Sequence, residues 1–508
     1  MKFALLSAAT AAVAFASSEH DGKRLIRLSA DHSEWMTNAQ VEDLALRDIG
    51  FLDDTDGDWT RALELGVVRQ AQKSTLQGRA LQETSPYPIV ATYPKLVRGV
   101  TAKIQTADLK RTLESFVNKF TNRLYNSTEG AQSCGWIYGQ VAELASTVVA
   151  NTNVKVTVRQ FAHPWGQYSV IARVEPTTIV KDDIIILSAH QDSINSRDRR
   201  DIVKRKIAPG ADDDGSGTVT ILETLKYLLV TPEWTPIRPV EFHWYAAEEV
   251  GKLGSLAVAA EYAKANTAVY AQMQQDMTGY VRPGTTPVVN MISDFTNKNL
   301  NTFLETLIAT YVGLPVTHSV CKYGCSDHFS WNVSGYPSSY PFETKLKDMN
   351  PNMHSQNDTI DTINFNHMAD FTKLSIAYVV ELTQDGATGD WYIVTNGYTV
   401  TIGSSNSYVL DSNLPALTKT PKRTRRSPSG AAKRTPLWDD NGVAALFRLR
   451  YKSQLSARFY SKNNADKKTA YVMLAAELSV ATEKEYSVAQ VQDKVCRVDD
   501  YHNSVHWL

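Results

Sequence analysis

The chain predicts an α/β fold, a mostly parallel central sheet with helices on both faces, flanked by an N-terminal pro-segment and a C-terminal extension. Three observations carry this. Apolar runs of strand length alternate with helical periodicities between about 154 and 382, the pattern of a parallel sheet with crossover helices. The run 183–189 holds Ile184, Ile185, Ile186 and Leu187 in succession, as in a strand buried on both faces. His190, Glu248 with Glu249, and Asp276 stand just past three of these runs, and such sheets place their sites beyond the carboxyl ends of the strands.

The length of 508 residues suggests one large domain with appendages, and 43% hydrophobic with 21% charged residues suits a soluble globular protein. A formal net charge of −1 gives no global field toward nucleic acid or an anionic membrane.

Taken in order, Met1 and Lys2 precede an apolar stretch ending in Ala14-Phe15-Ala16, which reads as a signal peptide over 1–16. It is too short to span a bilayer, and no later stretch approaches the roughly 20 apolar residues of a transmembrane helix. The chain is therefore expected to be secreted and extracellular. Residues 17–85, with the acidic knot Asp53, Asp54, Asp56 and Asp58 and no clear order of turns and strands, read as a pro-segment.

The catalytic domain is expected over 86–387. Leu109, Leu113, Phe116, Phe120 and Leu124 fall near helical spacing, and a second helix is expected from Trp136 to about Val149. Strands follow at 154–161, 168–174, 183–189, 240–246, 270–275 and 288–292, with helices at 219–229, 253–263, 300–311 and 368–382. Over 388–435 the runs 391–395 and 398–402 flank Asn396-Gly397, a two-residue hairpin signal. Lys422, Arg423, Arg425, Arg426, Lys433 and Arg434 then lie among Pro, Ser and Gly, as in a solvated linker rather than a nucleic-acid patch. Residues 436–508 show helical periodicity near Leu446, Leu449 and Leu455 and over 472–478, with no function assigned.

Four cysteines fit an oxidising compartment. Cys321 and Cys325, in Cys-Lys-Tyr-Gly-Cys, can close a small loop; a zinc-thiolate pair is the alternative, without a second close cysteine pair to complete it. Cys134 and Cys496 are candidate free thiols. Asn126-Ser-Thr, Asn332-Val-Ser and Asn357-Asp-Thr are glycosylation acceptors if the chain is secreted.

His190, Asp212, Glu249, Asp276 and His354 form a set of imidazole and carboxylate donors of the kind zinc takes, with one carboxylate shared between two ions. Asp192, two residues past His190, can accept the other ring N–H of that histidine. Pro209 to Gly217 crowds Asp212, Asp213 and Asp214 between glycines, an arrangement that repels itself without a cation. Glu248 and Glu249 supply two acids where a metal needs one, so the spare can carry a proton.

The stretch from about Tyr93 to Leu382 resembles the secreted di-zinc aminopeptidases of bacteria and fungi, the leucine aminopeptidases. The matching segments are 188–193 around His190, 209–217 around the three aspartates, 245–251 around Glu248-Glu249, 275–278 around Asp276, 321–328 around Tyr323 and 350–354 ending in His354. The resemblance implies two zinc ions, Asp212 bridging them, His190 and Asp276 completing one, and Glu249 and His354 the other. It makes Glu248 the general base acting on a bridging hydroxide. It makes Tyr323, in a small disulfide loop, a donor to the oxyanion, and sets a cis peptide between Asp212 and Asp213.

His328 could pass for a ligand, but the last histidine of the family matches His354, leaving His163, His243 and His318 as ordinary residues. The implied activity is removal of N-terminal residues, leucine or other large apolar ones, from peptides and proteins by a monomer, with no nucleic acid and no membrane span. A zinc carboxypeptidase, a glutaminyl cyclase relative and a non-catalytic binding protein of the same fold are the alternatives. The chain beyond about 388 departs from the compact form of the family.

Overall fold

The computed structural model describes residues 85–384 apart from 148–150, 199, 200 and 202, most of 22–66, the strand residues between 391 and 409, and Leu474. The N-terminal segment has more order than its sequence suggested. β1 (Lys23–Ser29), β2 (His32–Thr37) and β3 (Leu52–Asp53) form an antiparallel sheet in the order β2-β1-β3, beside α1 (Asn38–Leu46). Its core is Ile26, Met36, Val41, Leu44 and Phe51. No glycine or asparagine separates the first two strands, which left the hairpin without its usual signature.

Three helices open the next part: α2 (Pro94–Thr101), α3 (Thr106–Val117) and α4 (Thr128–Thr147). α3 is the amphipathic helix expected from the spacing, burying Leu109, Leu113 and Phe116. It ends before Phe120, which stays buried in the following loop. α4 begins eight residues ahead of the expected Trp136, where Ser127 Oγ accepts the Gly130 N–H at 2.9 Å and so caps a free helix donor.

The central sheet contains β4 (Val154–Phe161), β5 (Ser169–Pro176), β6 (Ile184–His190), β7 (Val240–Tyr245), β8 (Val269–Gln274) and the short β11 (Ser338–Ser339), in the order β11-β8-β6-β7-β5-β4. β11, β8, β6 and β7 run parallel, whereas β5 and β4 add antiparallel at one edge. The two helices after β6 and β7 are α5 (Gly217–Leu229) and α6 (Leu253–Lys264). Side chains alternate between faces along a strand. Ile185 and Leu187 accordingly join Leu225 and Leu228 of α5 on one side, and Ile184 and Ile186 join Val258 and Ala259 of α6 on the other. Burial on both faces is what made 183–189 an unbroken apolar run.

A second sheet, ordered β10-β9-β12, comprises β9 (Val289–Ile292), β10 (Val316–Ser319) and β12 (Pro341–Phe342). Between and after these strands lie α7 (Lys298–Leu307), α8 (His328–Val333) and α9 (Phe365–Thr383), with α9 packing Phe371, Leu374 and Tyr378 into the larger core. β13 (Trp391–Thr395) pairs antiparallel with β14 (Tyr398–Ile402), Thr395 opposite Tyr398, as Asn396-Gly397 predicted, and β15 (Tyr408–Val409) extends the pair.

The chain divides into units Met1–Leu414 and Pro415–Leu508. Apart from Leu474, the second unit lies outside the described residues, as do the signal peptide, the basic linker and Cys496. Among the described residues no helix is long and apolar enough to cross a membrane.

Candidate metal centre and active site

Strand register gathers the candidate ligands at one edge of the sheet. His190 is the last residue of β6 and lies opposite Tyr245 at the end of β7, so the loop carrying Glu248 and Glu249 leaves beside it. The Gln275 N–H donates to Ser188 O at 2.7 Å, which brings the chain after β8, with Asp276, to the same rim. Arg123, fully buried, donates to the carbonyls of Gln191, Pro209 and Gly210, tying the residue after His190 to the loop that holds the three aspartates.

Asp213 reaches both histidines. Its Oδ1 lies 3.2 Å from His190 Nε2 and its Oδ2 lies 2.9 Å from His354 Nε2. Asp276 Oδ1 is 3.5 Å from His190 Nε2, and Glu249 Oε2 is 2.9 Å from His354 Nε2. Two groups of donors result, His190 with Asp214 and Asp276, and Asp213 with Glu249 and His354, the atoms within each lying within 4.8 Å of one another. Asp214 also has a bracing part, since its oxygens accept the His190 and Gly217 N–H groups at 3.1 and 2.9 Å.

This corrects the expectation for Asp212. Its Oδ2 accepts from Asn350 Nδ2 at 2.8 Å, and it belongs to neither group of donors. Asp213 departs from the helical backbone around it, with φ and ψ of −103° and 99°. Asp358 fixes which one faces in, because its carboxylate accepts the N–H groups of Asp212 and Asp213 at 3.0 and 3.1 Å. The cis peptide likewise falls one residue later than expected, between Asp213 and Asp214, and a second joins Asp276 to Met277.

Asp192 sits where the sequence put it. Its Oδ1 faces His190 Nδ1 at 3.4 Å, and its two oxygens accept the N–H groups of Glu248 and Glu249 at 3.0 and 3.1 Å. One carboxylate thus orients an imidazole and both glutamates. The loop beyond carries left-handed backbone at Ala247, Gly251 and Lys252, and Lys252 Nζ lies 3.4 Å from Glu248 Oε1.

Burial dominates the electrostatics. It pushes Glu249 up to about 8, with the charge of Asp213 adding and His354 opposing. It pushes Asp212 up to about 7 against hydrogen bonds from Asn350 and Glu343. Glu248 is raised by burial too, with Lys252 and His190 pulling the other way. For Asp213 burial also acts upward, but the hydrogen bonds of His190 and His354 prevail and hold it below the usual carboxylate range. Burial would lower His190, yet Asp276, Asp192 and Asp213 keep it well above the ordinary imidazole value. So many buried acids around two imidazoles form a site for cations, and Glu249 Oε1, buried and without a hydrogen-bond partner, is a further donor. Nitrogen and carboxylate oxygen in this arrangement suit zinc.

A cavity of roughly 350 Å³ opens onto these groups. One wall is apolar, made of Met277, Tyr340, Phe342, Leu346, Met349 and Met353. Tyr323 also lines it, in the loop closed by the Cys321–Cys325 disulfide, which removes the zinc-thiolate alternative for that pair. Cys134 is free and buried. Ile49, Gly50 and Phe51 of the N-terminal segment line the same cavity. A Cβ on Gly50 would stand 1.9 Å from the Tyr323 ring, so glycine permits the close approach. Leu52, Trp59 and Ala62 anchor the segment on Leu256, Phe329 and Val333.

Among the described residues no other histidine joins the two donor groups. His163 stacks on Trp165, His243 bonds Glu241 and Tyr245, His318 bonds Glu305, and His328 packs on Tyr340.

Imidazoles and carboxylates around a shared aspartate, at the carboxyl edge of an α/β sheet, define a metal-dependent hydrolase. Residues 169–379 match Peptidase family M28. The chain is 36% identical to Leucine aminopeptidase 1 of Penicillium rubens over 71% of its own length and 90% of that protein. It is likewise 36% identical to Leucine aminopeptidase 1 of Emericella nidulans, over 72% and 90%. The solved LapA aminopeptidase of Legionella pneumophila superposes with a TM-score of 0.58 at 27% identity, covering 72% of this chain and 94% of that one. The chain belongs to Peptidase family M28 and is a metallo-aminopeptidase.

Proposed function

We propose that this enzyme removes N-terminal leucine and other large apolar residues from peptides, using two zinc ions. His190, Asp213 and Asp276 would hold one and Asp213, Glu249 and His354 the other, with the bridging part moved from Asp212 to Asp213. The observation that carries the reading is the orientation of Asp213, one oxygen toward each histidine. Zinc held by these residues would supply Lewis acidity for peptide hydrolysis near neutral pH. Glu248 takes a proton from the attacking water and delivers it to the departing amine. Tyr323 donates its phenol to the carbonyl oxygen as negative charge grows there. The methionine-rich wall accepts the side chain of the leaving residue, since unbranched thioethers adapt to apolar groups of varied shape.

The segment lining the cavity through 49–51 supports a zymogen in which residues 17–85 cover the site until removed. Secretion and glycosylation belong to the same proposal, and Asn126 and Asn357 are exposed, as acceptors must be. Glu248→Gln is expected to keep its zinc and lose about 10²- to 10⁴-fold in turnover of leucine p-nitroanilide, the usual weight of a general base; near-normal rates would remove Glu248 from that part. A carboxypeptidase would cleave an N-blocked peptide, and a cyclase would act on N-terminal glutamine. The expected enzyme does neither and stops on chelation.

A further inference from the structure

Lys252 is a charged group at the site that the proposed chemistry leaves unused. It lines the cavity and is only 5% exposed. Its backbone is left-handed, with φ 60° and ψ 30° immediately before α6, a region that disfavours a residue with a side chain. Burying an ammonium adds a further penalty unless it is paired. The position thus combines an unfavourable backbone with an unfavourable burial.

The local fold directs this lysine at one group. The N–H groups of Gly251 and Lys252 both donate to Glu248 O, at 2.9 and 2.8 Å, closing a tight turn that folds residue 252 back over residue 248. Its Nζ lies 3.4 Å from Glu248 Oε1. Asp192 holds the backbone of Glu248 from the other side. The carboxylate is then fixed at two points, its main chain by Asp192 and one oxygen by Lys252, which leaves the second oxygen for proton transfer.

We propose that Lys252 is a positioning residue, an ammonium that locks the rotamer of the Glu248 carboxylate for proton transfer. This rests on Glu248 being the base. Misplacing a reacting group by about 1 Å can cost on the order of 10²-fold in rate.

The test uses zinc-loaded enzyme and leucine p-nitroanilide. Lys252→Met is expected to keep its zinc and a KM within about twofold, and to lose roughly 10- to 100-fold in kcat. Lys252→Arg should recover part of that loss, and Lys252→Gln serves if the methionine variant does not fold. If Lys252 acts through Glu248, the double variant with Glu248→Gln is no slower than Glu248→Gln alone. A kcat within twofold of the parent for Lys252→Met, or losses that multiply in the double variant, would overturn the inference. Failure of the base reading looks different, because Glu248→Gln would then itself remain active.

Discussion

Asparagine at 213 and at 212 should give opposite outcomes, although the two residues are adjacent and chemically identical. Among the described residues Asp213 is the carboxylate with an oxygen near each imidazole, at 3.2 and 2.9 Å. Asp213→Asn would therefore withdraw a charged donor from both proposed ions at once. Perturbing even an outer partner of a metal ligand weakens binding about 10–100-fold. Loss of a shared ligand should reach at least ~100-fold per site, roughly 2.8 kcal/mol at 1.4 kcal/mol per decade. Asp212 faces Asn350 and Glu343, and burial holds its carboxyl up at about 7. Near pH 6 a neutral amide resembles it, and Asp212→Asn should cost about one hydrogen bond, ~0.5–1.5 kcal/mol of stability, with zinc retained. Zinc per chain by plasma mass spectrometry after dialysis against a weak chelator, with thermal unfolding beside it, reads both effects. Retention of the full metal complement by Asp213→Asn, with its loss from Asp212→Asn, would refute the assignment.

Two further outcomes follow from particular contacts. His163 is held neutral by burial, its value brought down from 6.5 to about 4. The unfolded chain thus binds that proton first, and its contribution to stability is full above pH 6.5 and is lost as pH falls toward 4, at most about 3 kcal/mol. In His163→Gln the fall in unfolding midpoint between pH 6.5 and 4 should be shallower; an unchanged slope would remove the histidine as its cause. Gly50→Val places a methyne carbon where the Tyr323 ring stands. It should dislodge the segment and raise leucine p-nitroanilide turnover of the unprocessed chain several-fold, checked by N-terminal sequencing for absence of cleavage. No rise in rate would mean that this contact does not restrain the enzyme.

The sheet was legible because its burial is two-sided: Ile184 to Leu187 had to be apolar throughout, and that run pointed directly at His190. Asn396-Gly397 fixed a hairpin register to the residue. The choice among Asp212, Asp213 and Asp214 could not be made from spacing, since all three share a side chain and only the Asp358 clamp, some 145 residues on, decides which faces the histidines. Lys252 was equally hidden, as its meaning depends on a left-handed turn that no local glycine pattern distinguishes from the Gly251 beside it. The N-terminal strands carry no glycine or asparagine at their turn, and the contact of Gly50 with Tyr323 depends on that fold.

The guanidinium of Arg123 has a practical corollary for anyone trimming this protein. It comes from a loop some 46 residues ahead of the segment that matches the family, 169–379, yet it holds the chain on either side of the donor groups through three main-chain oxygens. A fragment cut to the matched boundaries would contain every side chain assigned to metal or proton transfer and lack the keystone that sets two of its loops at a common spacing. The smallest piece able to work must begin upstream of residue 123.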